Sequence, residues 1–153
     1  MSFRVTRRAE ATWKGTVADG GGRIGLGSGA YEGPFSLRAR VEDVQAATNP
    51  EELIAAAGAG CFTMSLANLL GEAGHPPEDL RTTASVRLEQ QDDRFSITLI
   101  DLRTTARVEG ITNAEFLELA HRAKATCPVS RALGSVEITL DAKLAGSEAL
   151  AGS

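Results

Sequence analysis

The sequence predicts an α+β protein with the element order β-β-β-α-β-β-α-β, and three observations carry that reading. Period-two alternation fills two separated stretches, Leu80 to Glu89 and Val136 to Leu144. Helix-start signals stand at Asn49-Pro50-Glu51-Glu52 and at Thr112-x-x-Glu115. Eight of the sixteen glycines fall in the first 33 residues, where they punctuate short strand-like runs. Strands that follow one another across short turns predict antiparallel sheets. The 153 residues are enough for one domain, expected over residues 1–145, with a small polar tail at 146–153 expected to fray.

The elements follow in order. Gly20-Gly21-Gly22 is expected to turn a hairpin between strands at 11–18 and 23–28, with a third strand at 34–41. In the first helix Asn49 can cap, Pro50 suits the first helical position and Glu51 and Glu52 favour the positive helix end. That helix runs to about Leu70, where Gly71, Gly74 and Pro76-Pro77 stop it. It is apolar on nearly every side, which predicts a central helix buried inside the molecule or an assembly. Leu80, Thr82, Ala84, Val86 and Leu88 share one strand face, Asp92-Asp93 makes the turn, and a partner strand spans 95–108. Its apolar phase slips at Leu99-Ile100, which predicts a bulge or a strand covered on both faces. A second helix runs from Thr112 to about Thr126 with Phe116, Ala120, Ala123 and then Cys127 on its core face, until Pro128 breaks the pattern. The last strand alternates over Val136, Ile138, Leu140, Ala142 and Leu144.

Composition narrows the function. Sixteen Lys+Arg against twenty Asp+Glu give a net charge of −4 with no basic run, so nucleic acid is not an expected partner. Met1 to Trp13 carries no apolar signal region, and Leu53 to Leu70, though long enough for a bilayer, is Ala- and Gly-rich and carries Thr63, Ser65 and Asn68. A core helix and a cytoplasmic protein with no membrane partner are expected. The Gly-rich segment lacks the ending of a phosphate loop, and His75 and His121 stand in no ligand spacing with the cysteines, so neither a nucleotide nor a metal cofactor is expected.

The residues that could carry chemistry are few. Cys61 lies mid-helix among small neighbours, and Cys127 lies at a helix end before Pro128. On the residues alone, the two thiols are either buried small hydrophobes or an attacking thiol and its resolving partner. A reactive thiol at Cys61 needs a nearby cation, because the helix dipole is three turns away. Arg38 and Arg40 are candidates on the third strand, or else two solvated arginines on one strand face. Glu51 stands ten residues before Cys61, ~15 Å along the axis and about 80° around it. It cannot touch that sulfur from its own helix. It either complements the helix dipole alone or acts through an arginine or across a subunit boundary.

The segments Thr48-Asn49-Pro50-Glu51-Glu52-Leu53, Ala55-Ala56, Ala59-x-Cys61-Phe62 and, after a 65-residue gap, Cys127-Pro128-Val129-Ser130 are similar to those of the OsmC/Ohr family, the osmotically inducible protein C and organic hydroperoxide resistance proteins. Glu-Glu-Leu-Ile and Cys-Pro-Val-Ser resemble the OsmC branch. The resemblance implies an intertwined homodimer and a thiol peroxidase that reduces hydroperoxides, organic ones preferred, without metal or organic cofactor. It implies that Cys61 is the peroxidatic cysteine and Cys127 the resolving one. Glu51 would hold the activating arginine, Arg40 by the count back from the Asn-Pro motif and Arg38 as fallback. An external dithiol, whether a lipoyl protein, thioredoxin or a small thiol, would complete the cycle. The competing class is a non-enzymatic redox sensor or small-ligand binding module on the same fold.

Overall fold

The computed structural model describes residues 2–145, so the expected tail at 146–153 lies outside the described residues. The chain divides into two compact units, Met1–Leu53 and Ile54–Ser153.

In the first unit, β1 (Ala9–Lys14), β2 (Gly21–Leu26) and β3 (Glu32–Phe35) form an antiparallel sheet in that order. The first turn lies earlier than the glycine triplet suggested. Gly15 takes φ +90°, Trp13 Nε1 donates to its carbonyl at 2.9 Å, and Gly20 N donates to Thr16 O at 2.7 Å. Gly21 and Gly22 are strand residues instead. A Cβ on Gly22 would strike Thr12 O and the rings of Phe35 and Trp13, which pack edge-to-face with centroids 5.3 Å apart. Glycine serves there for close approach, not for turning.

The third strand also ends sooner than expected, and this corrects the placement of both arginines. Ser36 leaves the sheet, its Oγ accepts from Ala39 N at 3.0 Å, and Leu37–Val41 forms a short helix, α1. A serine that captures a following N–H favours a cap over a ladder, and Leu-Arg-Ala-Arg suits a helix. Arg38 and Arg40 therefore do not share a strand face but diverge by about 200° around a helix. The chain returns beside β3, with Thr48 N donating to Pro34 O at 2.9 Å, and enters α2 (Pro50–Glu72).

The start of α2 is the one expected: Asn49 Oδ1 accepts from Glu52 N at 2.8 Å. Its end is a Schellman motif, with Gly74 at φ +84°, His75 N donating to Leu70 O at 2.8 Å and Gly74 N to Gly71 O at 3.1 Å. Gly58, Phe62, Leu66 and Leu70 make one buried face. The expectation was burial inside the molecule or an assembly, and among the described residues of one chain α2 is not covered on every side. Ala56, Gly60, Met64 and Asn68 form an exposed stripe on the same helix, with Met64 76% exposed.

In the second unit, β4 (Asp79–Gln91) and β5 (Arg94–Arg107) form an antiparallel hairpin whose turn residues Asp92 and Asp93 take φ 51° and 61°. Two positive φ values in a two-residue loop match the twist of the flanking strands. The apolar slip in β5 is a bulge. Arg87 pairs with Leu99 but Leu88 with Ile97, so Thr98 is the extra residue and accepts a hydrogen bond from Arg87 Nε at 2.8 Å. Helix α3 (Asn113–Thr126) is capped by Thr112, whose Oγ1 accepts from Glu115 N at 3.1 Å, and it buries Phe116, Leu119, Ala120 and Ala123.

As expected, α3 ends at Thr126 before Pro128; Pro128 then opens a separate short helix α4 (Pro128–Ala132) from its first position, where a missing N–H costs nothing. Strand β6 (Glu137–Leu144) then pairs with β5. This pairing is parallel, a correction to the expectation of wholly antiparallel sheets. The α3–α4 crossover returns the chain to the starting end of the sheet, which no short turn can do. The core joins Phe62, Leu66 and Leu70 of α2 to Ile100, Leu102 and Ala106 of β5 and to the buried face of α3. Thr82, on the apolar face of β4, is satisfied there by Thr63 Oγ1 at 2.7 Å and Thr104 Oγ1 at 3.0 Å.

Candidate redox site

The first unit holds one of the two candidate pairs. Arg40 Nε donates to Glu51 Oε1 at 2.8 Å and Nη2 to Oε2 at 3.0 Å, a two-point guanidinium–carboxylate pair. Glu51 is only 7% exposed, so its charge is compensated where water cannot do so. The other acid of that helical turn is engaged elsewhere, with Thr48 Oγ1 donating to Glu52 Oε2 at 2.9 Å. Arg38 pairs with Glu42 at 2.9 Å on the exposed side of α1. Of the two arginines named from the sequence, Arg40 is therefore the one joined to Glu51. A cavity of about 230 Å³ with an apolar lining (Trp13, Phe35, Leu37, Pro50) has Arg40 in its wall.

The second unit holds the other pair. Cys61, in the middle of α2, and Cys127, at the junction of α3 and α4, are free thiols with their sulfurs 2.7 Å apart. Spacing alone could not place them together, because 66 positions separate them. The surroundings differ. Cys127 is fully buried at 0% exposure, whereas Cys61 is partly exposed. A side chain at Gly58 or Gly60, beside Cys61, would meet no atom within 4 Å among the described residues.

Burial pushes the Cys61 thiol above its ordinary value, and the neighbouring Cys127 sulfur adds to this, while the Val129 N–H and Ser65 hydroxyl only partly offset it. Burial also acts against charge on Cys127, but hydrogen bonds from Cys61, from the Ser130 N–H and hydroxyl, and from the Val129 N–H outweigh it and hold that thiol below its ordinary value. Within the second unit, then, the negative charge favours the inner sulfur while access favours the outer one.

Sequence reasoning named Ser65 and Ser130 but gave them no role at the thiols, although each stands at helical reach of a cysteine, four and three positions on. It read Asn49 only as a cap, yet its Nδ2 also donates to Ala39 O at 2.9 Å. His75 lies 3.8 Å from Glu115 and His121 is exposed. Among the described residues, no three His, Cys, Asp or Glu side chains are grouped to hold a metal ion.

An α+β scaffold that brings two free thiols into contact has the chemical parts of a cysteine-dependent redox protein. The profile of the OsmC-like proteins matches residues 42–141. The chain is 42% identical over 141 residues to the peroxiredoxin OsmC of Escherichia coli, covering 92% of this chain and 97% of that protein. It is 31% identical over 105 residues to the organic hydroperoxide resistance protein OhrA of Bacillus subtilis, covering 67% and 72%. Among solved structures, it is similar to an organic hydroperoxide resistance protein of Elizabethkingia anophelis, with TM-score 0.71, 25% identity, and 96% of this chain and 100% of that one covered. A Legionella pneumophila organic hydroperoxide resistance protein OsmC gives TM-score 0.68 at 25% identity, with 95% and 100% covered. The chain belongs to the OsmC-like protein family.

Proposed function

We propose that the protein is a cysteine-dependent peroxidase that reduces organic hydroperoxides, and hydrogen peroxide more weakly, in defence against oxidative or osmotic stress in the cytoplasm. The observation that carries the reading is the contact of an accessible thiol, Cys61, with a buried one, Cys127, their sulfurs 2.7 Å apart. The names of the E. coli and B. subtilis relatives support it. The two units over residues 1–145 are proposed to work as one domain.

The Cys61 thiolate attacks the distal oxygen of the hydroperoxide and the O–O bond breaks. The alkoxide leaves and takes a proton to become the alcohol, and Cys61 becomes a sulfenic acid. The Cys127 thiolate then attacks the Cys61 sulfur and the hydroxyl leaves as water, so that a disulfide closes. An external dithiol (a lipoyl protein, thioredoxin or small thiol) reduces that disulfide by exchange. The peroxide gains two electrons and the dithiol supplies them. In this cycle Arg40, fixed by Glu51, supplies the positive charge that draws the thiolate to Cys61. The donors around Cys127 favour charge on the inner sulfur, so reaction at the accessible one needs a cation.

The same contact between the two thiols allows a second reading: a sensor that oxidises once and then holds its disulfide. Cumene hydroperoxide with excess dithiol separates the two. The peroxidase is expected to consume many equivalents per chain, and faster than it consumes hydrogen peroxide. Consumption that stops near one equivalent with every dithiol tried favours the sensor.

A homodimer is part of the proposal. The exposed stripe Ala56, Gly60 and Met64 of α2 is apolar, suited to contact with a second copy. Sedimentation equilibrium at micromolar concentration is expected to give twice the chain mass of 16.0 kDa. A single-chain mass under those conditions rules the dimer out.

A further inference from the structure

We infer that Asn49 is a positioning residue for the peroxidase reaction, acting through the Arg40–Glu51 pair; the inference rests on the peroxidase reading given above. Asn49 bridges the two elements from which that pair springs. Its Oδ1 accepts from Glu52 N at 2.8 Å and caps α2, the helix of Glu51. Its Nδ2 donates to Ala39 O at 2.9 Å, on α1, the helix of Arg40. Ala39 is the residue immediately before Arg40, and it is buried.

A five-residue helix leaves most of its carbonyls without helical partners, so Ala39 O needs a donor from elsewhere. The asparagine amide satisfies it while accepting from the next helix, because it carries a donor and an acceptor on one planar group. The two backbones are thereby held at a fixed separation next to the residues whose side chains make the guanidinium–carboxylate pair. Serine or aspartate would also cap α2, but serine is too short to reach Ala39 O and aspartate has no N–H to give it.

The test is therefore a cap-preserving substitution. Asn49→Ser is expected to keep the thermal midpoint within ~3 °C of wild type, since the cap survives. It is expected to lower kcat/KM for cumene hydroperoxide about tenfold through misplacement of the guanidinium. The pH midpoint of Cys61 alkylation by iodoacetamide should move upward with it. In an Arg40→Met background the same change is expected to cost less than ~2-fold, because the group it positions is gone.

Asn49→Asp, which also keeps the cap, is measured in parallel in case the serine variant folds poorly. Wild-type kcat/KM in both variants overturns the inference, as does an equal loss with and without Arg40. If Arg40→Met itself leaves the rate and the alkylation profile unchanged, the role given to Arg40 fails, and the positioning role of Asn49 fails with it.

Discussion

Cys61→Ser is expected to abolish hydroperoxide turnover, whereas Cys127→Ser should still consume about one equivalent and then stop. Intact-mass spectrometry after one equivalent of cumene hydroperoxide distinguishes the outcomes. The wild-type chain should lose ~2 Da as the disulfide closes, while Cys127→Ser should gain ~16 Da, and ~32 Da or more with excess peroxide, as the sulfenic acid passes to sulfinic and sulfonic acid. The physical reason is access. Cys127 has no exposed surface, so a hydroperoxide cannot reach its sulfur without local opening, whereas Cys61 is partly open. The opposing influence is charge, which the hydrogen bonds of Ser130 and Val129 draw toward Cys127. Rapid stoichiometric oxidation of Cys127 in the Cys61→Ser chain would mean that charge outweighs access and that the roles are reversed.

Replacing Arg40 tests how that charge is redistributed. Arg40→Met is expected to slow peroxide reduction ~100-fold, equivalent to ~2.7 kcal/mol in the barrier. A cation favours the charged form of a thiol, so its removal raises the Cys61 pKa. The alkylation rate at neutral pH should therefore fall, and its midpoint should move to higher pH. The single substitution also strips the buried Glu51 carboxylate of its partner, a change that costs about 3–5 kcal/mol in other buried pairs. Arg40→Met/Glu51→Gln removes that penalty and should be equally slow but better folded. If Arg38→Ala reproduces the loss and Arg40→Met does not, the wrong arginine has been chosen, despite the Arg38–Glu42 pairing.

Much of the fold was legible wherever one segment carries its own signal. Thr112 and Glu115 define the start of α3 by a local hydrogen bond, Asp92-Asp93 tolerates left-handed backbone, and β4 alternates from Asp79 to Leu88. The departures came where a residue type has two uses. Gly21 and Gly22 suggested a turn, but Gly22 is needed for its absent side chain between Trp13 and Phe35. Ser36 reads equally as strand or cap, and only its hydrogen bond to Ala39 N decides between them. The direction of β6 depends on the path of a whole crossover, which no window of sequence contains.

The site divides in the same way. Cysteine, arginine and glutamate could be nominated by type, and Arg40 over Arg38 by a count. The contact between Cys61 and Cys127 could not be read from spacing, and neither could the second hydrogen bond of Asn49. Both depend on where a distant element comes to rest.

The parallel return of β6 also bears on when the thiols meet during folding. Its pairing with β5 spans long sequence separations, 38 positions from Asp101 to Thr139, so loop-closure entropy must be met before these contacts give anything back. Cys127 lies within that crossover, and its approach to Cys61 is part of the same non-local closure. A chain still emerging from synthesis, or one whose second unit has opened, therefore presents Cys61 without its partner. If the proposed cycle holds, hydroperoxide is expected to drive that sulfur down the irreversible branch toward sulfinic acid, whereas a folded chain is expected to close a reducible disulfide. On that proposal, the oxidation state of Cys61 is expected to record whether the crossover was in place when the peroxide arrived.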